Sequence, residues 1–314
     1  MNRIFRNILI LSRVANLPTV WSNVTAGWTF GVCLLAFDLH NGQKLLELIF
    51  NLQLVLLLIG ASCIYAAGMI LNDIFDRDWD RAHRPERPLV TGRISLSTAR
   101  AVASVLLGTG IVLTILSGAP SARLSVGILV SVLIAAVFIY NRWHKGVTWA
   151  PYIMGLCRSI LPLIGFFAAG AASSASSTAF LILLTHVASL WILTVSITFL
   201  ARHETSLGGA SSVVDYVLLL VPVPLLVILP WNGPIVVSAL GYWLWVMGSN
   251  QRRPLPAGVV GRVEDRLASF PFIDAMLVGL TFGILPSIAV ATVHAFTLSC
   301  FVLVLIGRRF VPVT

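Results

Sequence analysis

Apolar residues run for roughly 17 to 24 positions at a time along most of this chain, separated by short polar stretches, and that length matches the thickness of a bilayer core. The pattern predicts membrane-crossing helices over about 17–37, 52–72, 98–117, 123–140, 149–171, 179–201, 213–230 and 233–248. A last apolar stretch, 271–307, contains Asp274, Pro286 and His294. It reads as one span plus an amphipathic piece or as two spans joined by a tight turn, so nine or ten transmembrane helices are expected. The fold class is all-α, a polytopic helical membrane bundle, with 1–314 as a single domain.

Composition agrees. Of 314 residues, 58% are hydrophobic and 11% charged, against about 25% charged in a soluble domain. The formal net charge of +9 follows topology. Arg3, Arg6 and Arg13 precede the first run, Arg77, Arg81, Arg84, Arg87 and Arg93 follow the second, Arg142 and Lys145 the fourth, and Arg252, Arg253, Arg262 and Arg266 the eighth. The alternate loops carry only Lys44 and Arg123 or no basic residue. The positive-inside rule therefore places the N-terminus and the Arg-rich loops in the cytoplasm, with the bundle in the cytoplasmic (inner) membrane, and leaves no call for a nucleic-acid partner. Cys33, Cys63, Cys157 and Cys300 lie inside apolar runs without metal or redox spacing and read as small buried hydrophobes. The first apolar stretch is broken by Ser12 and Arg13 and is not expected to be a removable signal.

The acidic residues are the informative ones. Five of the twelve lie between Asp73 and Glu86, in Asn72-Asp73-Ile74-Phe75-Asp76-Arg77-Asp78-Trp79-Asp80 and the segment after it. Pro85 and Pro88 stop a helix near His83. If the second span continues that far, Asn72, Asp76, Asp80 and Asp73 fall at about 0°, 40°, 80° and 100° around the axis, while Asp78 falls at about 240°. Four oxygen-bearing side chains then share one face. Like charges at such spacing cost on the order of 3 kcal/mol per pair unless something cationic compensates. Interleaved arginines could do so at a salt-bridged helix end. A hard divalent cation that also bridges phosphates, above all Mg²⁺, could do so as well, and an all-oxygen cluster favours it.

The run Asn-Asp-x-x-Asp-x-x-x-Asp at 72–80 resembles the first aspartate motif of the UbiA superfamily of intramembrane prenyltransferases. Arg84-Pro85-Glu86-Arg87-Pro88 with Thr91-Gly92 is similar to the loop that follows it there, Asn16-Leu17-Pro18-Thr19-Val20-Trp21-Ser22-Asn23 to the first helix, and Tyr140-Asn141 with Lys145 to the polar end of the fourth. The resemblance covers most of the chain and weakens after about residue 212. It implies a UbiA-like bundle in which Asp73, Asp76 and Asp80 are catalytic and, with Asn72, hold Mg²⁺, while Asn23, Arg87 and Lys145 bind a prenyl diphosphate and Tyr140 lines the pocket.

The sixth helix departs from the pattern. Where family enzymes carry a second Asp-x-x-x-Asp, this chain has Arg202-His203-Glu204-Thr205-Ser206. Either Glu204 holds a second metal with substrate oxygens and water, or Arg202 and His203 supply positive charge to the diphosphate instead. With Met154-Gly155-Leu156-Cys157-Arg158, this looks like a divergent, EboC-like branch. Arg158, near the start of an apolar span, is expected to face the bundle interior and an anion, the departing diphosphate, or to snorkel to the interface. Asp215, Asp274 and His294 are intramembrane or interfacial polar groups with no assigned role.

The expected function is a Mg²⁺-dependent transfer of a prenyl group from a prenyl diphosphate to an aromatic or lipid acceptor, among membrane lipids. The alternative is a non-catalytic relative that binds or transports a prenylated or amphiphilic small molecule.

Overall fold

A computed structural model describes residues 3–36, 42–202, 210–228, 232–252, 259–284 and 288–311. Among them the regular elements are all helical: α1 (Arg3–Leu11), a short 3-10 turn (Val14–Asn16), α2 (Leu17–Leu35), α3 (Gly42–Ile49), α4 (Leu52–His83), α5 (Leu96–Ser117), α6 (Arg123–Trp143), α7 (Ala150–Ala168), α8 (Ser177–Arg202), α9 (Ala210–Leu220), α10 (Val223–Ile228), α11 (Gly233–Arg252), α12 (Val259–Ala268), α13 (Phe270–Ile284) and α14 (Ile288–Gly307). The protein is an all-α bundle of membrane helices.

Length and apolarity single out six described stretches able to cross a membrane, Lys44–His83, Leu96–Ser117, Pro120–Trp143, Ala150–Ala168, Ser177–Arg202 and Ile288–Gly307. Nine or ten were expected; among the described residues the helices in the remaining runs are shorter, divided or more polar. The 213–230 run is divided into α9 and α10 beside Pro222. The 271–307 stretch is two helices, α13 and α14, packed on each other. α2 is 19 residues long but carries Thr19, Ser22, Asn23, Thr25 and Thr29, all buried against other helices rather than facing lipid.

α2 and α13 form the centre of the bundle, packed together and ringed by α4, α7, α8, α11 and α14. The seam between α2 and α7 is tight. A Cβ added at Gly27 would fall on the backbone of Pro162, and one added at Gly165 on the backbone of Val24. In lipid, helix association depends on such close packing, which small residues permit.

α4 is the element that builds the site. Asn51 caps its start by accepting a hydrogen bond from the Leu54 amide at 3.0 Å. Its 32 residues give about 48 Å of helix, more than the roughly 30 Å hydrocarbon core requires. The last turns therefore project the acidic run beyond the apolar part, and the helix ends at His83, before Pro85, as the sequence predicts.

Candidate functional site

The helical spacing gives the acidic run a single working face. Asn72, Asp73 and Asp80 are buried, with Asp73 only 3% exposed, and Asp76 is partly buried beside them. The Asp78 side chain, on the opposite face, is 88% exposed and pairs with Arg81 at 3.1 Å one turn along the same helix. Asn72, Asp73, Asp76 and Asp80 all line one cavity of about 940 Å³.

Cations from other elements meet these carboxylates. Arg87 Nη1 donates to both oxygens of Asp73 at 3.2 Å. Arg13 Nη2 donates to Asp73 Oδ1 at 3.4 Å and to Asn72 Oδ1 at 3.5 Å. Lys145 Nζ is 2.9 Å from Asp76 Oδ1, and His144 Nε2 is 3.3 Å from Asp76 Oδ2. Lys145 also lies 3.9 Å above the Trp79 ring, a cation–π position that keeps the ammonium over the cavity. Asn72 Nδ2 donates to Asn141 Oδ1 at 3.2 Å, and Asn141 Nδ2 in turn donates to the Gly68 carbonyl at 3.2 Å, so α6 orients the amide at the head of the motif. Gly146, at φ +76°, turns the chain directly after Lys145 in a conformation that favours glycine.

The other expected residues divide. Tyr140 lines the cavity and stacks on His144 with ring centroids 4.9 Å apart. Arg202 lines it too, but Nη1 donates to the Val147 carbonyl and Nη2 to the His144 carbonyl, each at 2.7 Å. Those amino groups brace the loop that presents Lys145. Arg158 is at the inner end of the cavity, beside Tyr65 and Phe270. Asn23 is not brought to the cavity wall. Its amide donates to Asp274 Oδ2 at 2.7 Å, deep between α2 and α13, so the expected diphosphate contact is replaced by a helix-to-helix bond. His203 and Glu204 lie outside the described residues.

Arg13 is the residue that sequence reasoning passed over, as one more topological charge. Its backbone is left-handed, at φ +46°, an uncommon and costly state for a residue with a side chain. That kink separates α1 from the start of α2 and brings the guanidinium onto Asn72 and Asp73. The usable signal was its place three residues before Asn16-Leu17-Pro18, at the break in the first apolar stretch. His144, adjacent to Lys145, was missed as well.

Between the acidic run and Arg158 the cavity wall is largely apolar, with Ile64, Leu133, Val137, Leu161 and Ile197. A charged head and a hydrocarbon tail fit such a space. Among the described residues no three His, Cys, Asp or Glu side chains are gathered closely enough to hold a metal alone, because Asp73 and Asp76 are each drawn to their own cations. The donor set still suits Mg²⁺, an ion usually held by one or two carboxylates with phosphate oxygens and water completing its shell. Asp73, Asp76, Asp80 and Asn72 supply only hard oxygen donors.

The fold and cavity define an intramembrane helical bundle with a polar-headed, apolar-floored pocket. The family model described as the UbiA prenyltransferase family matches residues 29–257, and the chain belongs to that family. It is 46% identical over 65 residues to a digeranylgeranylglyceryl phosphate synthase of Sulfurisphaera tokodaii, covering 21% of this chain and 23% of the relative. It is 29% identical over 120 residues to protoheme IX farnesyltransferase of Aliivibrio salmonicida, covering 37% and 40%. The chain thus spans less than a quarter of the length of that digeranylgeranylglyceryl phosphate synthase and less than half of that farnesyltransferase. Among solved structures, a UbiA homologue from Archaeoglobus fulgidus bound to GPP and Mg²⁺ superposes with TM-score 0.56 at 16% identity, over 89% of this chain and 99% of that one. A digeranylgeranylglyceryl phosphate synthase superposes with TM-score 0.57 at 16% identity, over 91% and 100%. Both share the fold.

Proposed function

We propose that the protein is a Mg²⁺-dependent intramembrane prenyltransferase that moves a prenyl group from a prenyl diphosphate to an aromatic or lipid acceptor. The observation that carries this reading is the two-part cavity: Asn72, Asp73, Asp76 and Asp80 face Arg13, Arg87 and Lys145 at its polar end, and an apolar half continues inward. The ligands of the Archaeoglobus fulgidus homologue, GPP and Mg²⁺, support the substrate class.

In the reaction, the bond between the prenyl C1 and the diphosphate oxygen breaks and its electron pair leaves with the diphosphate. A nucleophilic atom of the acceptor bonds C1, and the acceptor releases a proton to water. Bound Mg²⁺ would neutralise the diphosphate and improve it as a leaving group. The carboxylates and Asn72 would hold that ion, Arg87 and Lys145 would take the departing anion, and the apolar walls would keep water from the allylic carbon. The arginine excess at the polar end supports an inner-membrane placement with the N-terminus and the site facing the cytoplasm. The divergent 199–209 segment supports the EboC-like branch, with the whole chain as one catalytic unit.

A second reading, a non-catalytic member that binds or moves a prenylated or amphiphilic molecule, draws on the pairing of the carboxylates with cations. One assay separates the two. Purified protein is given labelled geranyl, farnesyl and geranylgeranyl diphosphate with Mg²⁺ and a membrane lipid extract. Pyrophosphate release with a labelled product is expected from wild type and from Asp78→Ala, and none from Asp76→Ala. Tight Mg²⁺-dependent binding without turnover would support the carrier, and no binding would sink the diphosphate site.

A further inference from the structure

The cavity has a second polar pole that the diphosphate does not need. Tyr65 is eight residues before Asp73 on α4, about 12 Å nearer the bilayer interior along the axis, and it lines the cavity together with Arg158 of α7. Arg158 is half-buried at the cavity wall. Nη2 donates to Thr19 Oγ1 of α2, and the guanidinium carbon lies 4.4 Å from the centre of the Phe270 ring. No carboxylate among the described residues is within ion-pair reach of Arg158. Asp274, one helical turn beyond Phe270, is already engaged, accepting from Ser22 Oγ at 2.6 Å and Asn23 Nδ2 at 2.7 Å and facing His186 Nε2 at 3.2 Å.

An unpaired guanidinium in an apolar wall is costly, and intramembrane cations are expected to face an anion or a ligand. Thr19 and Phe270 hold this one in a fixed orientation, which leaves its remaining N–H donors for the cavity. We infer that Arg158, oriented by Thr19 and sharing the cavity wall with Tyr65, is the recognition point for an anionic group on the acceptor, a carboxylate or a phosphate monoester. This rests on the prenyltransferase reading and narrows it: the acceptor is an acid whose charged end lies inward of the diphosphate, with apolar walls between the two charges. It reassigns Arg158 from the leaving group to the acceptor.

The test uses full-length protein in detergent and two titrations by calorimetry. One titrant is geranyl diphosphate with Mg²⁺. The other is a set of three probes of one shape: 2-naphthoate, 2-naphthyl phosphate and the neutral 2-naphthamide. Wild type should prefer one or both anions over the amide by at least about tenfold, the scale of a charge-assisted hydrogen bond, and the better anion tells carboxylate from phosphate. Arg158→Gln should erase that preference while geranyl diphosphate binding stays within about twofold. Loss of diphosphate binding in Arg158→Gln with the anion preference intact would overturn the assignment, and so would a wild type that does not prefer the anions. The wild-type comparison stands even if the variant fails to fold. Failure of wild type to bind geranyl diphosphate at all would count against the prenyltransferase reading instead, and so is separable.

Discussion

Asp73 receives Arg13 and Arg87 on its two oxygens, and Asp76 receives Lys145 and His144. With Asp80, three carboxylates therefore face Arg13, Arg87 and Lys145 in a cluster that is balanced without ligand, while Arg84, Glu86 and Arg202 also line the cavity. A diphosphate arriving alone would bring several negative charges into a balanced set. With a divalent ion the added charge is small, so the carboxylates can turn to the metal while the arginines and Lys145 turn to phosphate oxygens. Lys145→Ala should accordingly weaken Mg²⁺-dependent diphosphate binding by about tenfold or more, the range for a hydrogen bond to a charged group, measured by calorimetry. Arg13 permits a sharper test because its backbone and its charge can be separated. Arg13→Gly and Arg13→Ala both remove the guanidinium and should lose diphosphate affinity equally. Glycine tolerates the φ of +46°, however, and the glycine variant should be the more stable by about 1 kcal/mol in thermal unfolding. Equal stability would show that the left-handed turn is not strained. The α4 face was legible in the sequence because its members lie within nine positions on one helix. Arg13 was not, because its partner Asp73 is 60 residues away, and nothing local distinguishes it from the other basic residues near a membrane end.

Among the elements, α2 decides how the site is assembled. Its first turns supply Thr19 to Arg158, its second supplies Ser22 and Asn23 to Asp274, and its middle lets α7 approach at Gly27. The fully buried Asp274 thus ties α13 to α2, and through His186 to α8. Removing the carboxylate would leave Ser22 Oγ and Asn23 Nδ2 in an apolar interior without their shared acceptor, Asp274 Oδ2, which costs about 1–3 kcal/mol for each buried group left without a partner. Asp274→Ala should lower stability by several kcal/mol, and Asp274→Asn, which keeps one acceptor oxygen, by clearly less, both read by thermal unfolding in detergent. Gly27→Leu should be as harmful as Asp274→Ala, since its side chain would have to displace the Pro162 backbone. The sequence marked Asp274 as a polar residue in an apolar run and Asn23 as a pocket residue. Joining them required the fold, because 251 residues separate the pair. The break in the 271–307 stretch follows the same lesson: apolar periodicity does not say whether a long run turns back on itself, and the packing of α13 against α14 does.

For the whole molecule, the polar pole gathers side chains from the turn before α2, from α4, from the loop after it and from the α6–α7 loop, all around one opening. A ligand bridging them stabilises the bundle only if it engages several at once. Mg²⁺ alone meets carboxylates already paired with cations, and diphosphate alone meets cations already paired with carboxylates. Only the two together exchange every pair for another of equal or better strength. Thermal unfolding should therefore show little shift with Mg²⁺ or geranyl diphosphate separately and a clear rise with both. A complex held at a hundred times its dissociation constant adds about 2.7 kcal/mol to the folded state. Chelation of the metal should cancel the rise, Asp76→Ala should abolish it, and Asp78→Ala, whose side chain faces solvent beside Arg81, should preserve it. A full shift with diphosphate in the presence of chelator would mean that Arg13, Arg87 and Lys145 hold the phosphate without a metal. The carboxylates would then be their counter-charges and nothing more, as a salt-bridged helix end requires.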